Sequence, residues 1–156
     1  MIRLKFATLA ENQHYYKDVS QMIYQEFVLG TSSKMTLEDV EHFFKNTNVN
    51  VFPITFISII DNECVGTVSV FENDFKERTQ YFPWLASLYV KPEYRDKKIG
   101  HHLITYLLNY LKALNYSEVY LKTENASEYY KKRNWNLIES INSSDSDSID
   151  IFKYVL

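Results

Sequence analysis

Between Trp84 and Leu114 the chain passes from a β-favouring run, through a cationic turn, into a long amphipathic helix, and few folds accommodate that order. Leu85, Leu88, Tyr89 and Val90 are strand formers, and Lys91-Pro92 stops the run because proline cannot donate to a ladder. Leu103, Ile104, Leu107, Leu108, Leu111 and Leu114 then recur at three-to-four spacing, with Thr105, Asn109 and Lys112 on the other side. The turn between them reads Arg95-Asp96-Lys97-Lys98-Ile99-Gly100. Strand, cationic turn and helix N-terminus in that order make an anion site. The first amides of a helix lack carbonyl partners, and the helix dipole adds partial positive charge there.

The rest of the chain narrows the class of ligand. At 156 residues and 46% hydrophobic, it has the size and composition of one domain with a full core, so residues 1–156 are read as a single domain. The net charge is −3, and cations are local to Lys91–Lys98 and Lys131–Arg133. That pattern suits a small anionic ligand and argues against nucleic acid. Cys64 is the only cysteine, which rules out an intrachain disulfide and disfavours structural zinc; it reads as a buried, inert thiol. No apolar run approaches the ~20 residues of a membrane span, and the N-terminus lacks a signal-peptide core, so a cytoplasmic protein is expected.

In chain order, Ile2, Leu4 and Phe6 alternate as a short strand, and the face formed by Tyr15, Tyr16, Val19, Met22, Ile23 and Phe27 predicts one helix from Asn12 to Phe27. Thr36 opens a second helix through a capping-box pattern with Asp39. Phe52–Ile60 and Val65–Phe71 predict a hairpin around Asp61-Asn62-Glu63, and Asp74–Phe82 a polar loop. After the long helix come a strand at Val119–Leu121, a short helix over Asn125–Lys132, and a hairpin of Trp135–Ile141 with Ile149–Val155 around a serine–aspartate tract. That tract lacks the glycine and terminal glutamate of a calcium loop. His14 and His42 are isolated, and His101-His102 diverge by about 100° on a helix, so no metal is expected. The order of elements implies an α/β protein with a mixed sheet and helices on its faces.

Val90-x-Pro92-x-Tyr94-Arg95-x-x-x-Ile99-Gly100 resembles the acetyl-CoA signature of the GNAT superfamily of acyl-CoA N-acyltransferases, with Asp96 and Lys98 where that family usually has glycines. Ala126-x-x-Tyr129-Tyr130-Lys131-Lys132-Arg133-Asn134-Trp135 is similar to the family's second segment, with Asn134 in place of its glycine. The resemblance implies the GNAT fold, a mostly antiparallel sheet of six to seven strands with about four helices, and acetyl-CoA as co-substrate. It implies that Leu88, Tyr89 and Val90 run beside the pantetheine arm, with Asn125 a further contact. The turn of Arg95, Asp96, Lys97, Lys98, Ile99, Gly100 and His101 would then hold the pyrophosphate. Lys98 puts a Cβ where glycine lets backbone approach phosphate, but its ammonium offers a charge in exchange.

Tyr130 takes the place of the tyrosine that, in many members, protonates the departing thiolate; a phenol of pKa ~10 stays protonated at neutral pH and suits that task. Glu72, Asp74 and Trp84 are the candidate acceptor-binding residues. No base stands out: Trp84 and Ala86 occupy strand positions that carry it in some relatives, leaving Glu72, Asp74 or ordered water. The implied reaction is acetyl transfer from acetyl-CoA to the primary amine of a small molecule, such as an aminoglycoside, polyamine or amino acid, by direct attack in a ternary complex. Two other readings stay open: a CoA-binding regulatory module without turnover, and a peptide or protein N-acetyltransferase. No nucleic-acid or membrane partner is expected; homodimers are common in such proteins.

Overall fold

A computed structural model describes residues 3–142 and 148–156. Ile2, expected to open the first strand, and residues 143–147 of the serine–aspartate tract lie outside the described residues. Seven strands, β1 (Leu4–Thr8), β2 (Ile54–Ile60), β3 (Glu63–Phe71), β4 (Trp84–Val90), β5 (Glu118–Thr123), β6 (Asn136–Ile141) and β7 (Ile149–Val155), form one sheet in the order β1-β2-β3-β4-β5-β7-β6. Every neighbouring pair is antiparallel except β4 with β5. The helices are α1 (Tyr16–Ile23), α2 (Leu37–Lys45), α3 (Ile99–Ala113) and α4 (Ser127–Lys131).

β2 explains how both faces come to be covered. All seven of its residues are buried, and strand alternation sends them to opposite sides. Ile54 and Phe56 join Leu103, Leu107, Leu111 and Tyr130 under α3 and α4. Ile57 and Ile59 join Val19, Ile23, Val40 and Phe44 under α1 and α2. Asp61 and Asn62, at φ 49° and 66°, make the tight β2–β3 turn, the left-handed pair that matches strand twist. Glu63, expected in the turn, already belongs to β3.

The first helix departs from its expected form. Gln13–Tyr15 is a 3₁₀ turn, and after Ile23 the chain widens into a π turn over Tyr24–Val28. The extra residue in that turn shifts the helical face. Val28 therefore enters the core while Phe27, assigned to the apolar face from its spacing, is 44% exposed. α2 begins as expected, with Thr36 Oγ1 accepting from Asp39 N (3.1 Å) and Asp39 Oδ2 accepting from Thr36 N (2.9 Å).

Gly66 in β3 sets how closely α3 lies on the sheet. A Cβ there would stand 2.7 Å from Ser58 Oγ, 3.1 Å from Tyr89 O and 3.2 Å from Leu103 Cδ1. Ser58 Oγ is itself buried without a hydrogen-bond partner. Gly66→Ala should therefore destabilise by about 1–3 kcal/mol. Ser58→Ala alone should be neutral or stabilising, since it removes an unpaired buried hydroxyl. In a urea double-mutant cycle the Gly66→Ala cost should shrink in the Ser58→Ala background, and equal costs in both would show that the hydroxyl is not the obstacle.

Candidate active site

The site begins where β4 stops pairing with β5. Thr67 faces Tyr89 and Ser69 faces Ala86, so Val68 must oppose one residue too many, and β4 bulges at Ser87–Leu88. Ser87 takes a left-handed φ of 58°, which bends the strand and increases its twist. β4 and β5 share a single rung, Trp84 with Tyr120, supported by Tyr120 N donating to Pro83 O at 2.9 Å. Beyond it the strands diverge around a cleft of about 450 Å³. Leu88, Asp74, Asn125 and Tyr130, four of the residues selected from sequence, line it together.

Trp84 is a correction. It was expected to touch the acceptor, yet it is fully buried, packed with Tyr120 and Ile151, and its Nε1 donates to Tyr81 O at 2.8 Å. An indole this enclosed has no surface to offer a ligand; it holds the apex of the cleft. Glu72 is exposed and is not part of the cleft wall.

At the other end of β4 lies the cationic turn. Asp96 and Lys98, which replace the family's glycines, both adopt left-handed conformations, φ 64° and 62°. The turn thus keeps a glycine-type backbone path with L-residues in it, at some conformational cost. Gly100, the glycine that remains, needs no such freedom: a Cβ there would make ordinary contacts of 3.8 Å to Val90 and 4.0 Å to Leu88. Those distances place the start of α3 against the end of β4, beside a cleft residue. The N-cap Lys98 gives no side-chain acceptor, and His102 N donates to Lys98 O at 3.0 Å. The amides ahead of His102 have no carbonyl partner within the helix, as at any helix start.

The side chains of the turn divide. Arg95 Nε donates to Val90 O at 2.8 Å, and its guanidinium sits 5.3 Å from the Tyr89 ring. Tyr89 packs toward the α1/α2 side of the sheet, away from Leu88. Lys97 Nζ lies 5.5 Å from the Tyr94 ring. A second cleft of about 320 Å³ runs between α3 and the end of α4, lined by His101, Thr105, Lys132, Arg133 and Asn134 among others. Asn134, at φ 69°, ends α4 in the left-handed form, and Trp135 N closes back on Tyr130 O at 3.1 Å. Free amides, fixed left-handed turns and cations on both sides fit a bound diphosphate.

Tyr130 is 8% exposed, its ring set among Tyr129, Trp135 and Phe152 at 5.1, 5.8 and 6.0 Å between centroids. Burial pushes its phenol up to about 12, with Tyr129 adding and Arg133 opposing. Burial also raises the Asp74 carboxyl above its ordinary value, against the pull of Lys122. Lys122 Nζ holds the same loop by donating to Asp74 O at 2.6 Å, and lies 3.9 Å from the Asp74 carboxylate. Lys122, Ser87 and Phe27 line the cleft without having been selected from sequence. Lys122 sits in an ordinary alternating strand, Ser87 lacks the glycine that marks such a bulge, and the π turn that exposes Phe27 breaks the period used to place it. Among the described residues no group of three His, Cys, Asp or Glu side chains gathers as for a metal ion, and no helix is long and apolar enough to cross a membrane.

The model of the acetyltransferase (GNAT) family matches residues 18–135, and this chain belongs to that family. No curated protein sequence matches it significantly. Among solved structures it resembles an acetyltransferase of the GNAT family from Streptococcus pneumoniae, at 14% identity, TM-score 0.69, covering 100% of this chain and 99% of that one. It also resembles an aminoglycoside 6'-N-acetyltransferase complexed with coenzyme A, at 15% identity, TM-score 0.74, covering 97% and 96%. A third is yncA from Salmonella typhimurium with its cofactor acetyl-CoA, at 14% identity, TM-score 0.73, covering 99% and 93%. At such identities the likeness is one of fold.

Proposed function

We propose that this protein is an N-acetyltransferase that moves the acetyl group of acetyl-CoA directly to the primary amine of a small molecule. The observation that supports this most is the convergence of a buried tyrosine, a carboxylate of raised pKa and unpaired strand edges in one cleft, beside the start of α3. The turn from Arg95 to His101 binds the diphosphate through its amides, and the cations of Lys97, Lys98 and Lys132 balance its charge. Leu88 and Val90 lie along the pantetheine arm, and Asn125 reaches it from the β5 side. Beyond the Trp84–Tyr120 rung, β4 has no partner strand on that side among the described residues, which leaves backbone groups for the arm and for the thioester oxygen.

In this reading Asp74, directly or through a water, takes one proton from the acceptor ammonium and passes it to solvent. The free amine attacks the thioester carbon, forming a C–N bond. As the C–S bond breaks, Tyr130 protonates the leaving sulfur; the second proton lost by nitrogen restores the phenol through solvent. Products are the acetamide, the CoA thiol and one proton.

Calorimetry with acetyl-CoA and thiol release across mixed primary amines test the proposal. Binding with thiol release supports it; binding without release from any amine would mark a CoA-binding module instead. Asp74 also predicts a pH dependence. Its raised pKa means that the carboxylate, the form that accepts a proton, is lost at higher pH than for an ordinary aspartate as the solution is acidified. The acid limb of kcat/KM should therefore lie at higher pH than an ordinary aspartate would give, and Asp74→Asn should lower the plateau by about 10²-fold and remove that limb. An unchanged profile would dismiss Asp74 as the base.

A further inference from the structure

On the α1/α2 side of β4 lies a separate pocket of about 220 Å³, walled by Val28, Met35, Phe43, Phe71 and Ser87 among others, with no charged residue among the described residues of its lining. Two structural accidents join it to the thioester cleft. Ser87, the left-handed bulge residue, lines both. The π turn splits its neighbours: Phe27 lines the cleft and Val28 the pocket. A molecule that places its amine near Ser87 and Asp74 can therefore continue across the bulge into an apolar space. The pocket is smaller than the ~300 Å³ at which sites begin to enclose a drug-sized ligand, so it takes one compact group. Phe43 and Phe71, edge to face at 5.6 Å, present ring surfaces to it.

We propose, resting on the acetyltransferase reading above, that the acceptor is a primary amine carrying one aromatic or compact apolar group on a short linker, with that group seated between α2, the π turn and the end of β3. A polyamine or aminoglycoside would have to desolvate further ammonium or hydroxyl groups against walls that are apolar apart from Ser87. Among the described residues Asp74 is the one carboxylate lining the cleft, which suits a single ammonium.

The test compares 2-phenylethylamine, spermidine and kanamycin as acceptors, in the wild type and in Met35→Glu. Met35 is 45% exposed, so the substitution spares the core while placing a carboxylate at the pocket wall. In the wild type, kcat/KM should favour 2-phenylethylamine by at least tenfold. Met35→Glu should erase at least tenfold of that preference and leave the KM for acetyl-CoA unchanged. Calorimetry with 2-phenylethylamine alone gives a readout independent of turnover. Spermidine or kanamycin preferred, or a preference that Met35→Glu does not alter, overturns the inference and leaves the acetyltransferase reading intact. If no amine releases thiol, binding of 2-phenylethylamine that Met35→Glu abolishes sustains the pocket assignment while the enzymatic reading falls; absence of that binding removes both.

Discussion

Tyr130→Phe should lower kcat by about 10²-fold with an acceptor for which chemistry is rate-limiting, and leave acetyl-CoA affinity within about threefold, because a positioned general acid contributes on that scale while the ring keeps its packing. The phenyl group still fills the space among Tyr129, Trp135 and Phe152, so thermal stability should barely move. Only the hydroxyl is lost. The alkaline side of the pH profile carries a second signature. With its phenol raised to about 12 by burial, Tyr130 remains protonated well above the ordinary tyrosine value of ~10. Wild-type kcat should therefore show no loss at the pH where a free tyrosine would ionise. A Phe variant that turns over as fast as wild type would remove Tyr130 from the chemistry and leave it as a core residue with an unused hydroxyl.

The sequence displayed the backbone of the site better than its chemistry. The cationic turn is legible because proline, a charge cluster and an apolar period of three to four are local signals. The same holds for Thr36, whose capping box needs only residues three apart. Asn134 could be read as a helix stop because asparagine tolerates the left-handed conformation that it adopts at φ 69°. The cleft was legible only by resemblance, since its width depends on β4 and β5 parting after one rung, a tertiary event. Ser87 shows the limit plainly: nothing about a serine between Ala86 and Leu88 announces φ 58°. Asp74 was one acid among several in a polar loop, and what separates it from Glu72 is burial beside Lys122, which arises only when the loop folds over β5.

That loop is fastened from two directions. Arg78 grips Glu139 of β6 with Nε and Nη2, at 2.8–3.0 Å, and Tyr81 donates to the same carboxylate. Lys122 holds the Asp74 carbonyl from β5. The polar excursion expected from composition is thus a strap whose ends bear on the cleft. Its carboxylate is delivered by one anchor, and its Tyr81, stacked on Tyr120 at 4.7 Å, by the other. Rings serve the same end, since Tyr81, Trp84 and Tyr120 pack on one another where β4 and β5 share only a single rung.

Trp84→Ala should be the most disruptive single truncation near the site, costing about 3–5 kcal/mol of stability, the range for removing a fully enclosed large aromatic side chain. Trp84 is wholly buried, its ring lies 5.9 Å from Tyr120 and 6.3 Å from Tyr81, and its Nε1 satisfies Tyr81 O. Alanine leaves a cavity and an unpaired carbonyl at the one rung that joins the two strands. Because domains are stable by only about 5–15 kcal/mol, the variant should fold at low temperature with a much reduced urea midpoint. Trp135 remains as the fluorescent reporter. The consequence for function follows from position: with the apex slack, the divergence of β4 and β5 is no longer fixed, and acetyl-CoA should bind about tenfold more weakly, a loss of ~1.4 kcal/mol. Trp84→Phe separates the two contributions. It restores most of the packing but not the bond to Tyr81 O, and should recover cofactor affinity if ring volume holds the apex. Should Trp84→Ala lose stability yet bind acetyl-CoA as the wild type does, the cleft would have to be held open by the bulge at Ser87 alone.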